Sequence, residues 1–495
     1  MTPYIHINKK DNVLVALQPL QSGTTIQHGN HCITVHAPIE AGHKVALVPI
    51  QAGEAIIKYG FPIGVATSAI QPGEWIHTHN IKSGLDKTLE YEYCPCFSPN
   101  SYNCQNRVFQ GYERPTGEVG IRNELWVVPT VGCVNGTADQ IVAQFKSQAD
   151  TSHIDGIGVF RHQFGCSQLG DDHANTRQII ANIIRHPNAG GVLVLGLGCE
   201  NNNIEELKAF VGETDPSRVK YLVAQEVEDE IVEGVKLLHT LSETMKADTR
   251  TSQPISALKV GLKCGGSDGF SGITANPLLG EFSDWLIAQG GTTILTEVPE
   301  MFGAETILME RAQNKEVFNG ITRLINGFKE YYMAHNQPVY ENPSPGNKAG
   351  GISTLEEKSL GCTQKGGLEK VTAVLSYGDR LTTPGLNLLQ GPGNDLVSVT
   401  AMGAAGCQLV LFTTGRGTPF GSFIPTLKVA TNTNLFRRKA NWMDFNAGDL
   451  IEGQIMAEKV EELVNYIITV ASGTQLKHET INFKEIAIFK NGVTL

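Results

Sequence analysis

A short phrase recurs four times in the first 80 residues, namely an apolar residue, two further residues and a glycine, at positions 20–23, 39–42, 50–53 and 70–73. A polar residue and then a short apolar run follow each copy. Glycine favours tight turns, and short apolar runs between turns are typical of strands. The pattern therefore predicts a small all-β module over residues 1–85.

The pattern then changes. Residues 86–115 show no clear period and are interpreted as an ordered linker. From residue 117 onward, apolar runs alternate with helical periodicity, which predicts an α/β multidomain architecture. We expect two catalytic parts, 116–340 and 341–495, because a second α/β block begins near Asn342. The expected strands lie at 125–130, 156–160, 190–198 and 407–412, and the expected helices at 138–148, 226–247 and 456–470.

Composition narrows the class of protein. The chain has 495 residues, 41% hydrophobic and 18% charged, as in packed globular proteins of several domains. A net charge of -11 without a basic stripe argues against a nucleic-acid partner. The sequence shows neither an export signal nor an apolar run of about 20 residues, so we expect no membrane partner and a cytoplasmic protein with reduced cysteines.

The segment from His77 to Asn80 is the first candidate for chemistry. If it continues a strand, alternation places the imidazoles of His77 and His79 on one side, where they could chelate a divalent ion. The alternative is a pair of hydrogen-bonded surface or core histidines. Lys58 and the 42–44 segment come from neighbouring turns of the same module and could converge with it, or lie in solvated loops.

Glycine-rich polar loops are the second candidate; they lie at 162–166, 263–276, 346–356 and 415–419. Each exposes backbone N–H groups beside hydroxyls, amides and a few charges, which suits a hydroxyl-rich ligand with a carboxylate. The glycine turn at 196–198 lacks the third glycine of a dinucleotide fingerprint, and no phosphate-binding Gly-x4-Gly-Lys loop is present.

Several cysteines sit beside glycine where a strand is expected to meet a loop, namely Cys166, Cys199, Cys264 and Cys362. Three interpretations remain open for them: buried small hydrophobes, ligands of a soft metal or an iron-sulfur cluster, or reactive thiols. A further group, Cys94, Cys96 and Cys104, lacks an obvious fourth zinc ligand and is interpreted as structural.

Taken together, the strings at 57–64, 77–80, 162–166, 198–201, 264–268, 296–305, 342–351 and 414–419 resemble the altronate dehydratase family, which belongs to a wider group with galactarate dehydratase and sulfolactate sulfo-lyase. The resemblance covers essentially the whole chain, apart from the cysteines at 94–104. It implies an N-terminal SAF-type (β-clip) module followed by α/β catalytic domains. It also implies dependence on Fe2+ or Mn2+ and conversion of D-altronate to 2-dehydro-3-deoxy-D-gluconate in hexuronate breakdown.

Site roles follow as hypotheses on this resemblance. The metal is placed at His77 and His79, with Glu297, Glu300, Glu305 and the four glycine-flanked cysteines as alternative ligands. Proton transfer is assigned to Lys263, His162 or Glu356. The residues expected to bind substrate are Lys58, Asn80, Ser267, Asp268, Asn347, Arg416 and Lys428.

Three alternatives remain open at this point. The dehydratase could use an iron-sulfur cluster held by three of the four glycine-flanked cysteines. The substrate could be galactarate or another aldonate or aldarate. The protein could instead bind a sugar acid without turning it over. In each case the expected partner is a small sugar acid, and a homo-oligomer is possible.

Overall fold

The N-terminal part of the chain is all-β, as expected. In this computed structural model, which describes residues 2–85 and 88–494, residues 2–85 form what we call the N-terminal module. The strands of the module pair as three antiparallel sheets, ordered β1-β2-β5-β8, β3-β4 and β6-β7-β9 in the list that follows. The strands are β1 (Tyr4–Ile5), β2 (Val13–Ala16), β3 (Thr25–His28), β4 (His31–Thr34), β5 (Lys44–Ala46), β6 (Ala55–Lys58), β7 (Phe61–Ala66), β8 (Trp75–Ile76) and β9 (Ile81–Lys82).

The repeated phrase pairs with itself. Leu20 forms an antiparallel bridge with Ile39, and Ile50 forms one with Ile70. The first copy of the phrase therefore pairs with the second, and the third pairs with the fourth. The glycines that end the phrases have φ angles of 82°, 84°, 87° and 89°. This left-handed conformation favours glycine because a Cβ atom strains it. The predicted turn-then-strand pattern is confirmed.

The segment from His77 to Asn80 is a turn and not a strand. β8 ends at Ile76, and Asn80 closes the turn in two ways. Its side-chain Oδ1 accepts from the backbone N–H of His77 (3.0 Å), and its own N–H donates to the carbonyl of His77 (2.9 Å). Asparagine favours such turns because its side chain bonds nearby backbone groups. The expected strand alternation of the two imidazoles is therefore wrong.

The segment that follows the module runs along the rest of the protein. The backbone N–H of Cys96 donates to the carbonyl of Glu310 (2.8 Å), and the hydroxyl of Tyr91 donates to Glu305 (2.6 Å). Its thiols are exposed, namely those of Cys94, Cys96 and Cys104. The interval interpreted as a linker also contains a strand, β10 (Val108–Glu113), which the sequence pattern did not reveal.

Residues 108–254 form the middle domain. Its parallel sheet has the order β13-β12-β14-β15, and its small antiparallel sheet has the order β11-β10-β16. The further strands are β11 (Val119–Gly120), β12 (Glu124–Pro129), β13 (Gly156–Val159), β14 (Ala189–Gly196), β15 (Val219–Val223) and β16 (Thr251–Pro254). The helices are α1 (Asn135–Gln148), α2 (Gly170–Ile184), α3 (Ile204–Val211) and α4 (Glu230–Met245), with 3-10 turns at Gly132–Val134 and Ala224–Glu226.

Residues 255–494 form the C-terminal domain around a parallel sheet, the C-terminal sheet, ordered β19-β20-β18-β17-β21-β22-β23. Its strands are β17 (Lys259–Cys264), β18 (Thr292–Leu295), β19 (Val371–Leu375), β20 (Gly385–Leu389), β21 (Leu409–Thr414), β22 (Thr426–Ala430) and β23 (Phe445–Asn446). Its helices are α5 (Ala275–Ala288), α6 (Glu305–Met309), α7 (Lys315–Ala334), α8 (Pro345–Ala349), α9 (Leu355–Thr363), α10 (Asp395–Ala404), α11 (Thr433–Arg438), α12 (Met456–Ala471) and α13 (Lys477–Thr480), with 3-10 turns at Ile255–Ala257, Val298–Met301, Gln364–Gly366 and Gly448–Glu452. Within the described ranges, none of the helices combines the length and apolarity needed to cross a membrane.

The C-terminal sheet crosses the division expected near residue 341. β17 and β18 lie before that point, yet they pair directly with β21 and β20, which lie after it. The break between the two parallel sheets falls instead between β16 and β17. Hydrophobic patterning identifies strands but does not identify their partners, because pairing over such sequence distances depends on the tertiary fold.

A buried ion pair joins the middle domain to the C-terminal helices. Arg122 Nε and Nη2 donate to the two carboxylate oxygens of Glu479 at 2.8 and 2.9 Å. Burial acts to raise the pKa of Glu479, but the guanidinium outweighs it and lowers that pKa to about 2.

This pair predicts a specific acid sensitivity. Because the pKa of Glu479 is lower in the folded protein than its ordinary value of about 4.3, the pair stabilises the fold above that pH and loses its contribution as the pH falls towards 2. Glu479→Gln should lower the thermal unfolding midpoint at pH 7. The difference from the parent should shrink steadily when calorimetry is repeated from about pH 5 to pH 2. An unchanged difference across that range would contradict the assignment.

Candidate active site

The candidate site lies where β17, β18 and β21 end. Chain order places β18 on one side of β17 and β21 on the other, so the C-terminal sheet changes winding direction beside β17. Ligands of open α/β sheets bind outside the carboxyl ends of strands at such a point. The loops that meet there are 265–268, 296–300 and 415–416, and the N–H groups of Gly415 and Arg416 donate to the carbonyl of Gly266 at 3.1 and 3.0 Å.

Lys263 occupies the centre of this edge. Its side chain is fully buried, and its Nζ lies 2.6 Å from a carboxylate oxygen of Glu297 and 2.6 Å from one of Asp395. Burial acts to lower the pKa of Lys263, but the Asp395 and Glu297 carboxylates outweigh it and hold that pKa well above its ordinary value. Burial and the neighbouring Glu300 raise the pKa of Glu297 well above its usual range. The 2.6 Å contact places Lys263 and Glu297 within the distance needed for proton transfer.

Glu297 is held in an unusual backbone conformation. Its φ is 64°, in the left-handed region that non-glycine residues rarely adopt. Strain of this kind persists where surrounding structure fixes it, and it is concentrated at functional sites. Here it directs the carboxylate from the end of β18 towards Lys263.

Two thiols and a carboxylate form a compact group beside this lysine. The ligand atoms of Cys264, Glu300 and Cys362 lie within 4.8 Å of one another, and all three residues are buried. The sulfur atoms are 3.3 Å apart, and Cys264 Sγ is 3.2 Å from Glu300. The hydrogen bond between the sulfurs and the charge of Lys365, whose Nζ is 2.8 Å from Cys264 Sγ, lower the pKa of Cys264 to about 7.

A second lysine holds the carboxylate of this group. Lys358 Nζ lies 2.7 Å from Glu300. The two residues lie on a helix and a 3-10 turn that contact each other, α9 and 298–301. α9 is polar in sequence, yet every one of its residues from Leu355 to Thr363 is buried. The sequence analysis did not select Glu357, Lys358, Lys365 or Asp395. For Glu357 and Lys358 the available signal was their place in a short polar helix, α9, beside the glycine-rich loop at 346–356.

The N-terminal module contacts this helix through two buried lysines. Lys44 and Lys58 each place Nζ 2.8 Å from the carboxylate of Glu357. Burial acts to raise the pKa of Glu357, but the two ammonium groups outweigh it and lower that pKa to about 2. The backbones also touch, since a Cβ added to Gly269 would lie 2.0 Å from the carbonyl oxygen of Gly42. The 42–44 and Lys58 turns thus converge on Glu357.

His77 and His79 lie at the edge of this contact. His77 is buried and its Nδ1 is 3.1 Å from Ser353 Oγ, whereas His79 is exposed. Burial and the charge of Lys44 lower the pKa of His77 to about 4, so its ring is neutral at pH 7. Both rings contact the indole of Trp75. Across residues 2–85 and 88–494, the group with three clustered metal-ligand side chains is that of Cys264, and neither histidine belongs to it.

Ser267 and Arg416 stand at the site with free polar groups. Within the part of the chain that the structure describes, the buried hydroxyl of Ser267 has no hydrogen-bond partner, and it borders a small cavity that reaches Cys362. Arg416 is exposed beside Gly266, and its guanidinium forms neither a hydrogen bond nor an ion pair with described residues. Asn347 supports the same loop by donating to the carbonyl of Ser267 (2.9 Å).

Other expected site residues make their contacts elsewhere, although Glu356 Oε2 is buried without a hydrogen-bond partner among the described residues. Asp268 accepts from Thr431, Ser271 and Asn432, and Lys428 donates to the carbonyl of Phe420 (3.0 Å). Asn80 closes the turn described above. Glu356 accepts from Ser83 and Gly84, and Glu305 pairs with Lys329. These contacts hold loops and elements together, and the structure does not bring these side chains to Lys263.

His162 lies in the middle domain. Its Nε2 is 2.9 Å from the carbonyl of Pro129, and its Nδ1 accepts from the N–H of Phe164. Burial lowers the pKa of His162. Both ring nitrogens are thus used by backbone groups. The four glycine-flanked cysteines also separate: Cys264 and Cys362 belong to the C-terminal domain, whereas Cys166 and Cys199 are exposed at the end of the middle-domain parallel sheet.

Comparison with known families and proteins covers every part of the chain. Three family models match: the altronate/galactarate dehydratase SAF domain at residues 2–84, the second domain of D-galactarate dehydratase/altronate hydrolase at 111–246, and the D-galactarate/altronate dehydratase C-terminal domain at 255–494. The chain is 59% identical to the altronate dehydratase of Bacillus subtilis, over 100% of both chains. It is 52% identical to the altronate dehydratase of Escherichia coli K12, over 99% of this chain and 100% of the relative. It is 35% identical to the galactarate dehydratase (L-threo-forming) of Escherichia coli K12, over 95% of this chain and 93% of the relative.

Proposed function

The chain belongs to the D-galactarate/altronate dehydratase family and is a sugar-acid hydro-lyase, and we propose that it removes water from D-altronate to form 2-dehydro-3-deoxy-D-gluconate. The observation that carries the placement of the reaction is Lys263, buried between Glu297 and Asp395 at the winding change of the C-terminal sheet. The reaction is proposed for the cytoplasm, a compartment that keeps thiols reduced, and this proposal is supported by the ten unpaired cysteines of the chain.

Charge stabilisation is the first task of the site. The C2 proton beside a carboxylate is weakly acidic, so negative charge that develops on the carboxylate must be stabilised in the transition state. The free guanidinium of Arg416 is suited to bind the substrate carboxylate in a forked pair. The unpartnered hydroxyl of Ser267 is suited to a substrate hydroxyl group.

Proton transfer is the second task. In the proposed step the carboxylate of Glu297 takes the C2 proton, a C2–C3 double bond forms and the C3–O bond breaks. The ammonium of Lys263 gives its proton to the departing oxygen, which leaves as water. A raised pKa makes Glu297 a stronger base than an ordinary carboxylate. Because the two groups are 2.6 Å apart, the proton returns from Glu297 to Lys263, and the enol product tautomerises to the ketone.

The group formed by Cys264, Glu300 and Cys362 fits a divalent metal. Two thiols and a carboxylate are donors that suit Fe2+ better than Mn2+, because thiolates are soft ligands. When bound, the ion supplies Lewis-acid charge to the substrate oxygens. Lys365 contacts the thiol of Cys264, and Lys358 contacts the carboxylate of Glu300. Because these ammonium groups compete with the ion for its ligands, we expect an exchangeable ion and not a permanent one.

Removing a thiol should therefore weaken metal binding. Cys362→Ala should abolish the thiolate-to-metal absorption seen on titration with Co2+, and should lower activation by Fe2+ at least about tenfold, since ligand loss removes a bond to the ion. Cys407→Ala is the matched control, because Cys407 is equally buried but packs in an apolar core. Unchanged Co2+ spectra in the Cys362→Ala protein would show that the ion binds elsewhere.

Arg416 should govern substrate affinity. Arg416→Ala should raise KM for the sugar acid by about 10- to 100-fold, as expected for a lost charged hydrogen bond, with a smaller change in kcat. Arg437→Ala, which removes an exposed arginine of α11, should leave KM unchanged. Equal KM values for the parent and Arg416→Ala would exclude this clamp.

The proposed reaction is tested by a substrate panel. Purified protein with added Fe2+ or Mn2+ is incubated with D-altronate, galactarate and related aldonates, and keto-deoxy acid is measured. Preferred turnover of altronate is expected. Turnover of galactarate alone would show that galactarate, and not altronate, is the substrate. Altronate binding without any keto product would show that the protein binds a sugar acid without converting it.

A further inference from the structure

Three cysteines end neighbouring strands of the middle-domain parallel sheet. Cys133 follows β12, Cys166 follows β13 and Cys199 follows β14, and β12 lies between the other two strands. Because the strands are parallel, all three cysteines lie at the same edge. All three are exposed. The mechanism described above uses none of them.

Backbone contacts bring the three loops together. Gly132, which precedes Cys133, donates its N–H to the carbonyl of Phe164 (3.0 Å). On the two sides of Cys166, the carbonyl of Gly165 accepts from the N–H of Asn202 (2.9 Å), and the N–H of Ser167 donates to Asn201 Oδ1 (2.8 Å). Asn201 and Asn202 belong to the loop of Cys199.

The loop that carries Cys166 is held by close backbone and side-chain contacts. Gly165 has a φ of 100° and Ser167 a φ of 58°, both in the left-handed region. A Cβ added to Gly165 would lie 2.0 Å from the carbonyl oxygen of Thr130. His162 fixes the start of the same loop through both ring nitrogens. Backbone strain such as that at Ser167 is concentrated at functional sites.

The loop of Cys199 is fixed in the same manner. The buried carboxylate of Glu200 accepts from the N–H groups of Leu197 (3.0 Å) and Gly198 (2.6 Å) and from the hydroxyl of Thr130 (2.5 Å). This single side chain therefore links the ends of β14 and β12. The positions of the three cysteines relative to one another are set by the loops that carry them.

The distances between the three thiols do not fit a single tetrahedral metal ion. Sulfur ligands of a tetrahedral zinc ion lie about 3.8 Å apart, because each Zn–S bond is about 2.3 Å. Over the described residues, the three thiols do not form a group with all sulfur atoms within 4.8 Å. A cubane iron-sulfur cluster holds its cysteines farther apart, since each binds a different iron.

One helix N-terminus favours an anionic group at this edge. A 4Fe–4S cluster in the 2+ state with three thiolates carries a net charge of about -1. Cys133 lies just before α1, and helix N-termini stabilise negative charge, whereas the first turns of α2 and α3 already carry Asp171, Asp172, Glu205 and Glu206. The first turn of α1 contains no acidic residue, so its N-terminus beside Cys133 remains free to act on such a group.

We propose that Cys133, Cys166 and Cys199 bind a 4Fe–4S cluster whose fourth iron is open to solvent or to an oxygen ligand. This set differs from the one considered from sequence, because Cys264 at the end of β17 and Cys362 on α9 belong to the C-terminal domain, and Cys133 takes a place beside Cys166 and Cys199. The proposal stands apart from the identity of the substrate.

The test measures the cluster directly. Protein purified without oxygen, or reconstituted with equal ferrous and ferric iron and sulfide under thiol reductant, should contain about four irons and four acid-labile sulfides per chain and show broad brown absorption. Cys133→Ser, Cys166→Ser and Cys199→Ser should each lower both contents several-fold. Cys104→Ser, which changes an exposed cysteine outside this edge, should retain them.

A protection measurement keeps the test decisive if a variant does not fold. Alkylation of the native parent should modify Cys104 while sparing Cys133, Cys166 and Cys199, and chelation of iron should make those three react. A parent that gains no iron and sulfide, or that binds one zinc per chain at these thiols, would overturn the proposal. No sugar acid enters these measurements, so failure of altronate turnover does not affect their outcome.

Discussion

Replacing Lys263 with methionine is expected to lower kcat for altronate dehydration by about a thousandfold. The variant loses the proposed proton donor to the leaving oxygen and the charge that faces Glu297, effects that each contribute on the order of a hundredfold or more. The measurement is steady-state formation of the keto-deoxy acid with saturating substrate and Fe2+. We expect the packing around position 263 to be kept, because Lys263 lies over the ring of Phe412 and methionine fills a similar volume.

The matched control for this variant is Lys259→Met, four residues earlier on β17. Lys259 pairs with Glu118 (3.0 Å) at a partly exposed position, so its removal should leave kcat within about twofold. Glu297→Gln provides a second variant of nearly the parent size, and it should show a loss similar to that of Lys263→Met. A folded Lys263→Met protein with parent-like kcat would disprove the proton-transfer role.

Replacing Glu357 with glutamine is expected to have the largest effect on stability. The substitution leaves the buried ammonium groups of Lys44 and Lys58 without a carboxylate, and breaking a buried ion pair in this way costs about 3–5 kcal/mol. The carboxylate also accepts from the N–H of Ser353 (2.8 Å), so the 351–354 loop loses a bond as well. Calorimetry should show a fall in unfolding temperature of roughly 10 °C.

The control for Glu357 is Glu233→Gln, which breaks an exposed pair with Lys236 on α4 and should shift the unfolding temperature by about 1 °C or less. Limited proteolysis adds a positional readout. Because Glu357 joins the N-terminal module to the C-terminal domain, Glu357→Gln should release the module at the segment that follows residue 85 faster than the parent. Parent-like stability would mean that the backbone contacts of Gly42 hold the module unaided.

The repeated phrase of the module shows what local sequence can predict. An apolar residue, a glycine and a short apolar run specify a bridge, a left-handed turn and a strand, and each of these depends on neighbours in sequence. The same holds for α1, α4 and α12, whose apolar faces repeat with helical period. The turn at 77–80 shows the limit: the identity of Asn80 decided against a strand, and hydrophobic alternation does not register that choice.

The candidate site was accessible to sequence only in fragments. Lys263, Cys264, Glu297 and Glu300 stand beside strand ends, where polar residues after apolar runs draw attention. Asp395 and Lys365 carry no such signal, because they lie at the first residue of α10 and in the 3-10 turn Gln364–Gly366, which come from distant parts of the chain. Which of the many polar residues meet is set by strand order, and strand order places β17 between β18 and β21.

The sequence by itself determined the family, the all-β module, the alternation of strands and helices and the residue types needed for removal of water from a sugar acid. These depend on composition, on local periodicity and on strings that act within a few residues. The tertiary structure alone decided that Lys263 faces Glu297, that Lys44 and Lys58 meet at Glu357 and that the four glycine-flanked cysteines divide between two domains. Ionic contacts and thiol clusters depend on distances of about 3 to 5 Å between residues far apart in the chain, and only the packing of strands, helices and loops in the tertiary fold sets such distances.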